Sequence, residues 1–181
     1  FSVLSSGSRG NCIYLESDAA KIIIDSGLSM KELGRRLKSI DRTPEELDAV
    51  FLTHEHLDHI GGVGPLVRKH CIPLYATKGT VQAGEKLGSI PIFHPIRAGE
   101  TIRLDGLEIE PYATSHDAQE SVAYVIRCQS RKLGHATDMG VVTHEAREKL
   151  KDSHVLLLES NHDVEMLDVG PYPWTLKQRI K

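Results

Sequence analysis

Thr53-His54-Glu55-His56-Leu57-Asp58-His59-Ile60-Gly61-Gly62 follows directly on the apolar run Ala49-Val50-Phe51-Leu52. Three imidazoles and two carboxylates fall within six positions, at the mouth of a strand apolar enough to be buried. A solvated loop has no need of that concentration of donors. In an extended chain alternate residues share a face, so His54 and His56 aim the same way. The adjacent pair Asp58 and His59 begins a helix and points elsewhere. Two ligand pairs imply two metal positions.

The rest of the chain supplies a scaffold for that loop. Lys21 to Asp25 reads as a buried strand ending in Asp25-Ser26-Gly27, and Ser2 to Leu4 with Cys12 to Glu16 as two short strands around a Ser/Gly-rich turn. That turn, Ser5 to Asn11, carries short donors with which to hold a phosphate oxygen, or it is an ordinary tight turn. A helix is expected over Ser29 to Ile40, with Ser29 as cap, Glu32 completing a capping box, and an apolar stripe of Met30, Leu33, Leu37 and Ile40. A second helix runs from Val63 to His70, with Pro65 tolerated in its first turn and His70 as its exposed end. Ile72 to Thr77 reads as a strand, Lys78 to Leu87 as a helix, and Gly88 to Glu100 as a Pro/Gly-rich connection in which His94 is structural. Thr101 to Leu104 and Leu107 to Glu110 form a hairpin about Asp105-Gly106. Ser121 to Cys128 pairs with Lys132 to Thr137, His135 being a packed or surface residue. A helix from Thr143 to Lys151 then precedes a strand, Val155 to Leu158. Antiparallel strands followed by alternating helices and strands fit a four-layer αββα sandwich of α/β class.

At 181 residues with 40% hydrophobic content, the chain buries one sizeable core, so one domain over 1–181 is expected. No apolar run reaches the ~18 residues of a membrane span, and the start lacks the layout of a signal peptide. Phe1 is not an initiator methionine, which implies a leader that is processed or not represented. Cys12, Cys71 and Cys128 are widely spaced in apolar runs, as buried thiols of a reducing compartment would be, and a cytoplasmic location follows. A net charge of -3 does not advertise nucleic-acid binding. Basic residues do cluster at Arg35, Arg36, Lys38 and Arg42 and at Lys177, Arg179 and Lys181, either as solvated helix faces or as phosphate contacts. Tyr172 and Trp174, between prolines, are expected to anchor the terminal segment to the core.

His-x-His-x-Asp-His after a hydrophobic strand is the signature of the metallo-β-lactamase fold, and the chain resembles its YycJ (WalJ) group of DNA exonucleases. The resemblance rests also on Ser5-Ser6-Gly7-Ser8-Arg9-Gly10-Asn11, Ala136-Thr137-Asp138-Met139-Gly140, Glu159-Ser160-Asn161-His162-Asp163 and Gly170-Pro171-Tyr172-Pro173-Trp174. It implies that His116 joins His54 and His56 at one metal, and that Asp58, His59 and a bridging Asp138 hold a second. Asp25 would brace a ligating imidazole from behind, or serve as a turn or cap residue. Asp58 would orient or deprotonate the water, and His162 would touch substrate or donate a proton to the leaving group. The cofactors implied are two divalent ions, zinc or manganese or iron. The reaction implied is hydrolysis of DNA from the 5′ end by a metal-bound hydroxide, with no membrane partner. The family supplies a further histidine shortly after the tail segment. A chain ending at Lys181 is therefore expected to lack its extreme C-terminal segment and to hold its second ion weakly. Two other readings use the same residues: a hydrolase of thioesters or lactams, and a metal-containing regulatory module without catalysis.

Overall fold

The structure is a computed structural model that describes residues 1–159, 164–175 and 177. Eleven strands make two sheets among the described residues. In the first, β1 (Ser2–Ser5), β2 (Cys12–Glu16) and β3 (Lys21–Ile24) are antiparallel neighbours, and β4 (Ala49–Phe51), β5 (Leu74–Ala76) and β6 (Phe93–Pro95) continue from β3 in parallel. In the second, β7 (Ile102–Leu104), β8 (Leu107–Ala113), β9 (Val122–Cys128) and β10 (Arg131–Ala136) form an antiparallel meander, and β11 (Val155–Leu158) adds in parallel to β10.

Strand alternation sorts the side chains into layers, because successive residues of a strand point to opposite faces. Ile23 of β3 and Val50 of β4 pack with Leu33 and Leu37 of helix α1 (Met30–Lys38). Their neighbours Ile22, Ile24 and Phe51 face the other way and meet Ile109, Tyr124 and Ile126 of the second sheet. On that sheet's far side, Tyr112 and Val125 pack under Ala146 and Leu150 of a later helix, His144–Leu150. Helix, sheet, sheet, helix is the four-layer αββα sandwich the pattern implied.

Local chemistry sets most of the element ends. Ser29 caps α1 by accepting the Glu32 amide at 3.3 Å, but no capping box forms there, since the Glu32 carboxylate is taken by Arg35 and Arg36. Asp105 and Gly106 both have positive φ (42° and 84°), as a two-residue hairpin turn of this twist requires. The helix expected over Lys78 to Leu87 is broken. It ends at Ala83, and a 3₁₀ turn, Glu85–Leu87, follows Gly84, where an added Cβ would lie 2.8 Å from the Thr80 carbonyl.

Four expectations need correction. Gly88 to Glu100 contains β6, which pattern reading passes over because Pro95 interrupts any alternation, and His94 stacks there on Tyr75 at 4.7 Å. His70 is half-buried, not an exposed helix end, with Nδ1 3.6 Å from Glu45. Cys71 is exposed, because the helix Val63–His70 hands over there to a residue in left-handed conformation (φ 54°) that turns outward. Tyr172 and Trp174 are 54% and 68% exposed and do not anchor to the core.

Phe51 joins the two sheets. It is fully buried, stacks on Tyr75 at 4.7 Å and meets the Tyr124 ring edge-on at 5.8 Å. Phe51→Ala is expected to cost ~3–5 kcal/mol of stability, read by denaturant unfolding. A loss under about 1 kcal/mol would show that the sheets close over the gap.

Candidate metal centre

The centre lies where β3 and β4 run out at their carboxyl ends, facing loops from the second sheet. One carboxylate organises it. Asp25, just beyond β3 and buried, accepts the Thr53 amide on Oδ1 at 2.9 Å. Its Oδ2 accepts the Thr53 hydroxyl at 2.8 Å and His59 Nδ1 at 2.8 Å. The same hydroxyl lies 2.8 Å from His54 Nδ1. Having given its only hydrogen to Asp25, it must accept one from His54. Both imidazoles thereby carry a proton on Nδ1, and His54 presents a bare Nε2 to the centre, whereas His59 Nε2 meets Asp138 at 3.2 Å and Asn11 Nδ2 at 3.0 Å. His54 Nε2 is buried and has no hydrogen-bond partner among the described residues. A lone pair aimed into a polar cluster with no donor in reach is what a divalent cation would satisfy.

Around that atom the donors fall into two groups, His54, His56 and His116, and His54, His59 and Asp138, each mutually within 4.8 Å. His116 Nε2 faces His56 Nδ1 at 3.0 Å. Asp138 Oδ2 is 3.2 Å from His59 Nε2, and Asp58 Oδ2 is 3.5 Å from it. Asp58 stands outside the second group but beside it, held by Asn11 Nδ2 at 3.1 Å. His54, which spacing pairs with His56 alone, is common to both groups. His162 lies outside the described residues.

Backbone contacts hold these side chains in place. Helix α2 (Leu57–Ile60) begins on His56, and the Asn11 amide donates to the Asp58 carbonyl at 2.7 Å. Gly27 lets that carbonyl in, since a Cβ there would sit 1.7 Å from it. The loop carrying His116 is pinned from two sides, the Gln119 amide donating to Glu55 Oε1 and the Gly79 amide to Glu120 Oε2, both at 2.7 Å. The Asp138 amide donates to Glu159 Oε2 at 2.5 Å. Asp25 and Asp138 both take left-handed backbone angles (φ 58° and 54°), a conformation aspartate tolerates and one that turns the chain sharply at a strand end.

Burial dominates the electrostatics. It pushes the His54 imidazole down to about 3, helped by charged His59. Burial pulls His59 down as well, but Asp25 and Asp138 outweigh it and raise that imidazole to about 10. Burial lifts Asp138, yet its hydrogen bond to His59 and the surrounding imidazoles hold it well below the usual carboxylate range. Burial alone accounts for most of the fall of His135 to about 4, so that ring is neutral.

Comparison with known proteins identifies the family. The model of the β-lactamase superfamily domain matches residues 20–179. The exodeoxyribonuclease YycJ of Bacillus anthracis is 40% identical over 183 residues, covering 99% of this chain and 69% of that protein. The chain belongs to the metallo-β-lactamase superfamily. The exodeoxyribonuclease WalJ of Streptococcus pneumoniae is 41% identical over 185 residues, again across 99% of this chain and 69% of its relative. Among solved structures of this superfamily fold, zinc-bound PqqB from Methylobacterium extorquens superposes with a TM-score of 0.71 at 16% identity, over 92% of this chain and 67% of that one. The protein is a metal-dependent hydrolase, and the reading as a non-catalytic module falls away.

Sequence reasoning missed three parts of this metallo-β-lactamase centre. Thr53 was visible as the first residue of the ligand stretch, but nothing in its spacing shows a hydroxyl shared between two imidazoles and a carboxylate. Asn11 reaches Asp58 and His59 from 47 and 48 residues away, beyond any local pattern. Glu159 could have been suspected, since it ends a strand as Asp138 does.

Asp25→Asn keeps the shape of the brace but replaces an acceptor with a group that also donates. Metal affinity is expected to fall ~10- to 100-fold, measured by chelator competition, and unchanged affinity would show that the imidazoles orient themselves. The metal-stripped protein should be most stable near pH 6.5. His59, raised to about 10, contributes stability in full below about 6.5 and loses it as pH climbs through 10. His54, lowered to about 3, stays neutral when folded while the unfolded chain takes up a proton, so stability also falls below about 6.5. Thermal midpoints recorded in chelator from pH 5 to pH 10 test the shape, and a monotonic curve would contradict it.

Proposed function

We propose that the protein is a DNA exonuclease working from the 5′ end, with His54, His56 and His116 holding one divalent ion and Asp58, His59 and Asp138 a second. The observation that carries the reading is the buried, partnerless Nε2 of His54 between two groups of donors. The two relatives named exodeoxyribonucleases, alike over 99% of this chain, support the choice of DNA. Nitrogen and carboxylate ligands without thiolate suit zinc, manganese or iron, and ligand type alone does not choose among them. When bound, such ions supply Lewis acidity toward a phosphate oxygen and make a water acidic enough to ionise near neutral pH.

The protein's own groups do the rest. Asp58, 31% exposed and held on Oδ2 by Asn11, would orient or deprotonate the attacking water. His162, outside the described residues, would touch substrate or donate a proton to the leaving oxygen. In the basic cluster in and after the first helix, Arg35 and Arg36 are paired with Glu32 and Arg42 with Glu16, which weakens its case as a phosphate track, and divalent ions add positive charge at the centre itself. Cys12, Cys71 and Cys128 are all unpaired, in keeping with the cytoplasm, and no described helix is long and apolar enough to cross a membrane. The 181 residues act as one domain.

A 5′-labelled strand incubated with manganese should release mononucleotides or short oligomers, and His116→Ala should lower the rate at least ~100-fold. No release by the wild-type protein would end the exonuclease reading. Turnover of thioester or chromogenic lactam substrates in its place would establish the alternative hydrolase.

A further inference from the structure

A cavity of about 460 Å³ opens beside Asp138, on the side of the centre away from His56 and His116, within the ~300–1,000 Å³ range of small-ligand sites. Its position between the first and last strands joins residues distant in sequence. The lining includes apolar side chains, Val3 from β1, Ile13 from β2 and Leu157 and Leu158 from β11, and polar uncharged ones, Ser5, Ser6, Ser8 and Asn11 of the first turn. His135 lines the cavity at 1% exposure, and its Nδ1 has no hydrogen-bond partner among the described residues. Thr137 Oγ1, lining the same space, is buried and equally partnerless. Each such group costs stability unless something polar meets it.

The charge of the lining selects among occupants. No lysine or arginine lines the cavity among the described residues, while Asp25, Asp138 and Glu159 do. An anion pushed past those carboxylates would gain nothing from the serine turn to offset the repulsion. The turn is moreover satisfied internally, Asn11 Oδ1 accepting the Gly7 amide at 2.8 Å and the Gly10 amide donating to the Gly7 carbonyl at 2.9 Å. A flat, neutral, heteroaromatic group with hydrogen-bonding edges suits such a lining: aliphatic side chains would take its faces, and His135 Nδ1 and Thr137 Oγ1 are the polar atoms left for its edge.

We infer that this cavity receives the terminal nucleoside of the strand, base inward, while the adjoining scissile phosphate stays at its rim beside Asp138. The inference rests on the phosphodiesterase reading and adds to it a subsite for the unit that is cut off. It assigns the Ser5–Asn11 turn to the sugar and base, not to a phosphate oxygen.

The test is an NMR titration of chelator-treated protein with thymidine, deoxyadenosine, 2-deoxyribose and inorganic phosphate, run beside Val3→Asn and Leu158→Asn. These two positions are 49% and 54% exposed, so the changes are tolerable to the fold. Both nucleosides are expected to bind saturably, shifting the amide signals of Gly7, Ser8 and Leu157, with at least tenfold weaker binding in both variants and none by deoxyribose. Absence of nucleoside binding, binding indifferent to both substitutions, or shifts produced by phosphate at these amides would each overturn the inference. Hydrolysis of a baseless diester, bis-p-nitrophenyl phosphate, by the metal-loaded wild-type protein is scored separately. Its failure would sink the phosphodiesterase reading and leave nucleoside binding to be judged on the titration.

Discussion

The carboxylate of Asp25, sealed behind the ligand loop, is the constraint on which the rest of the centre depends. One buried group accepts from the Thr53 amide, the Thr53 hydroxyl and His59. Through the hydroxyl it also dictates which nitrogen of His54 is bare. An ionised carboxylate with so little water around it survives only because every donor that reaches it is well placed. The same condition makes it an effective brace, since any displacement of His54 or His59 would strand a buried charge. Strand β3 is needed to deliver Asp25, strand β4 to deliver Thr53, and their parallel pairing sets the two ends level.

Function follows from what that brace leaves unsatisfied. The scaffold spends its acceptors on the Nδ1–H groups of His54 and His59 and its own donors on the oxygens of Asp25, so that Nε2 of His54 faces a small space with no partner among the described residues. Acids and imidazoles at mutual distances under 4.8 Å would repel or waste one another were no cation to share them. The raised His59 and lowered His54 measure that frustration in the metal-free chain, one imidazole taking the proton that its neighbour is denied. Divalent charge replaces the proton and satisfies both.

Much of this is legible in the chain, because the decisive signals are local. The His54 to His59 spacing, the apolar strand before it, the Asp105-Gly106 turn and the two-faced strands β3 and β9 each declare themselves within a few residues, and together they give the αββα layering. Legibility fails where the cause is distant. β6 escapes because its partner, not its pattern, makes it a strand. The exposed Cys71 follows from a helix end, and the ion pairs within the basic cluster in and after α1 join residues as far apart as Glu16 and Arg42. Asn11, Thr53 and Glu159 enter the centre through contacts that only the assembled sheets create. His116 and Asp138 stand between these cases, since their residue types were suggestive but a family resemblance, not spacing, singled them out.

His54 and His59 hang from the first sheet, whereas His116 and Asp138 hang from the second. The span between their donor atoms is thus fixed by the thickness of the hydrocarbon filling between the sheets, with Phe51, Tyr75 and Tyr124 as its spacers. Coordination chemistry tolerates errors of a few tenths of an ångström, and packed rings are stiff on that scale. The interior acts as the calliper of the active centre: a methylene added or lost deep in the layer resets the bite offered to an ion, and with it which ion is preferred, though no ligand has been touched.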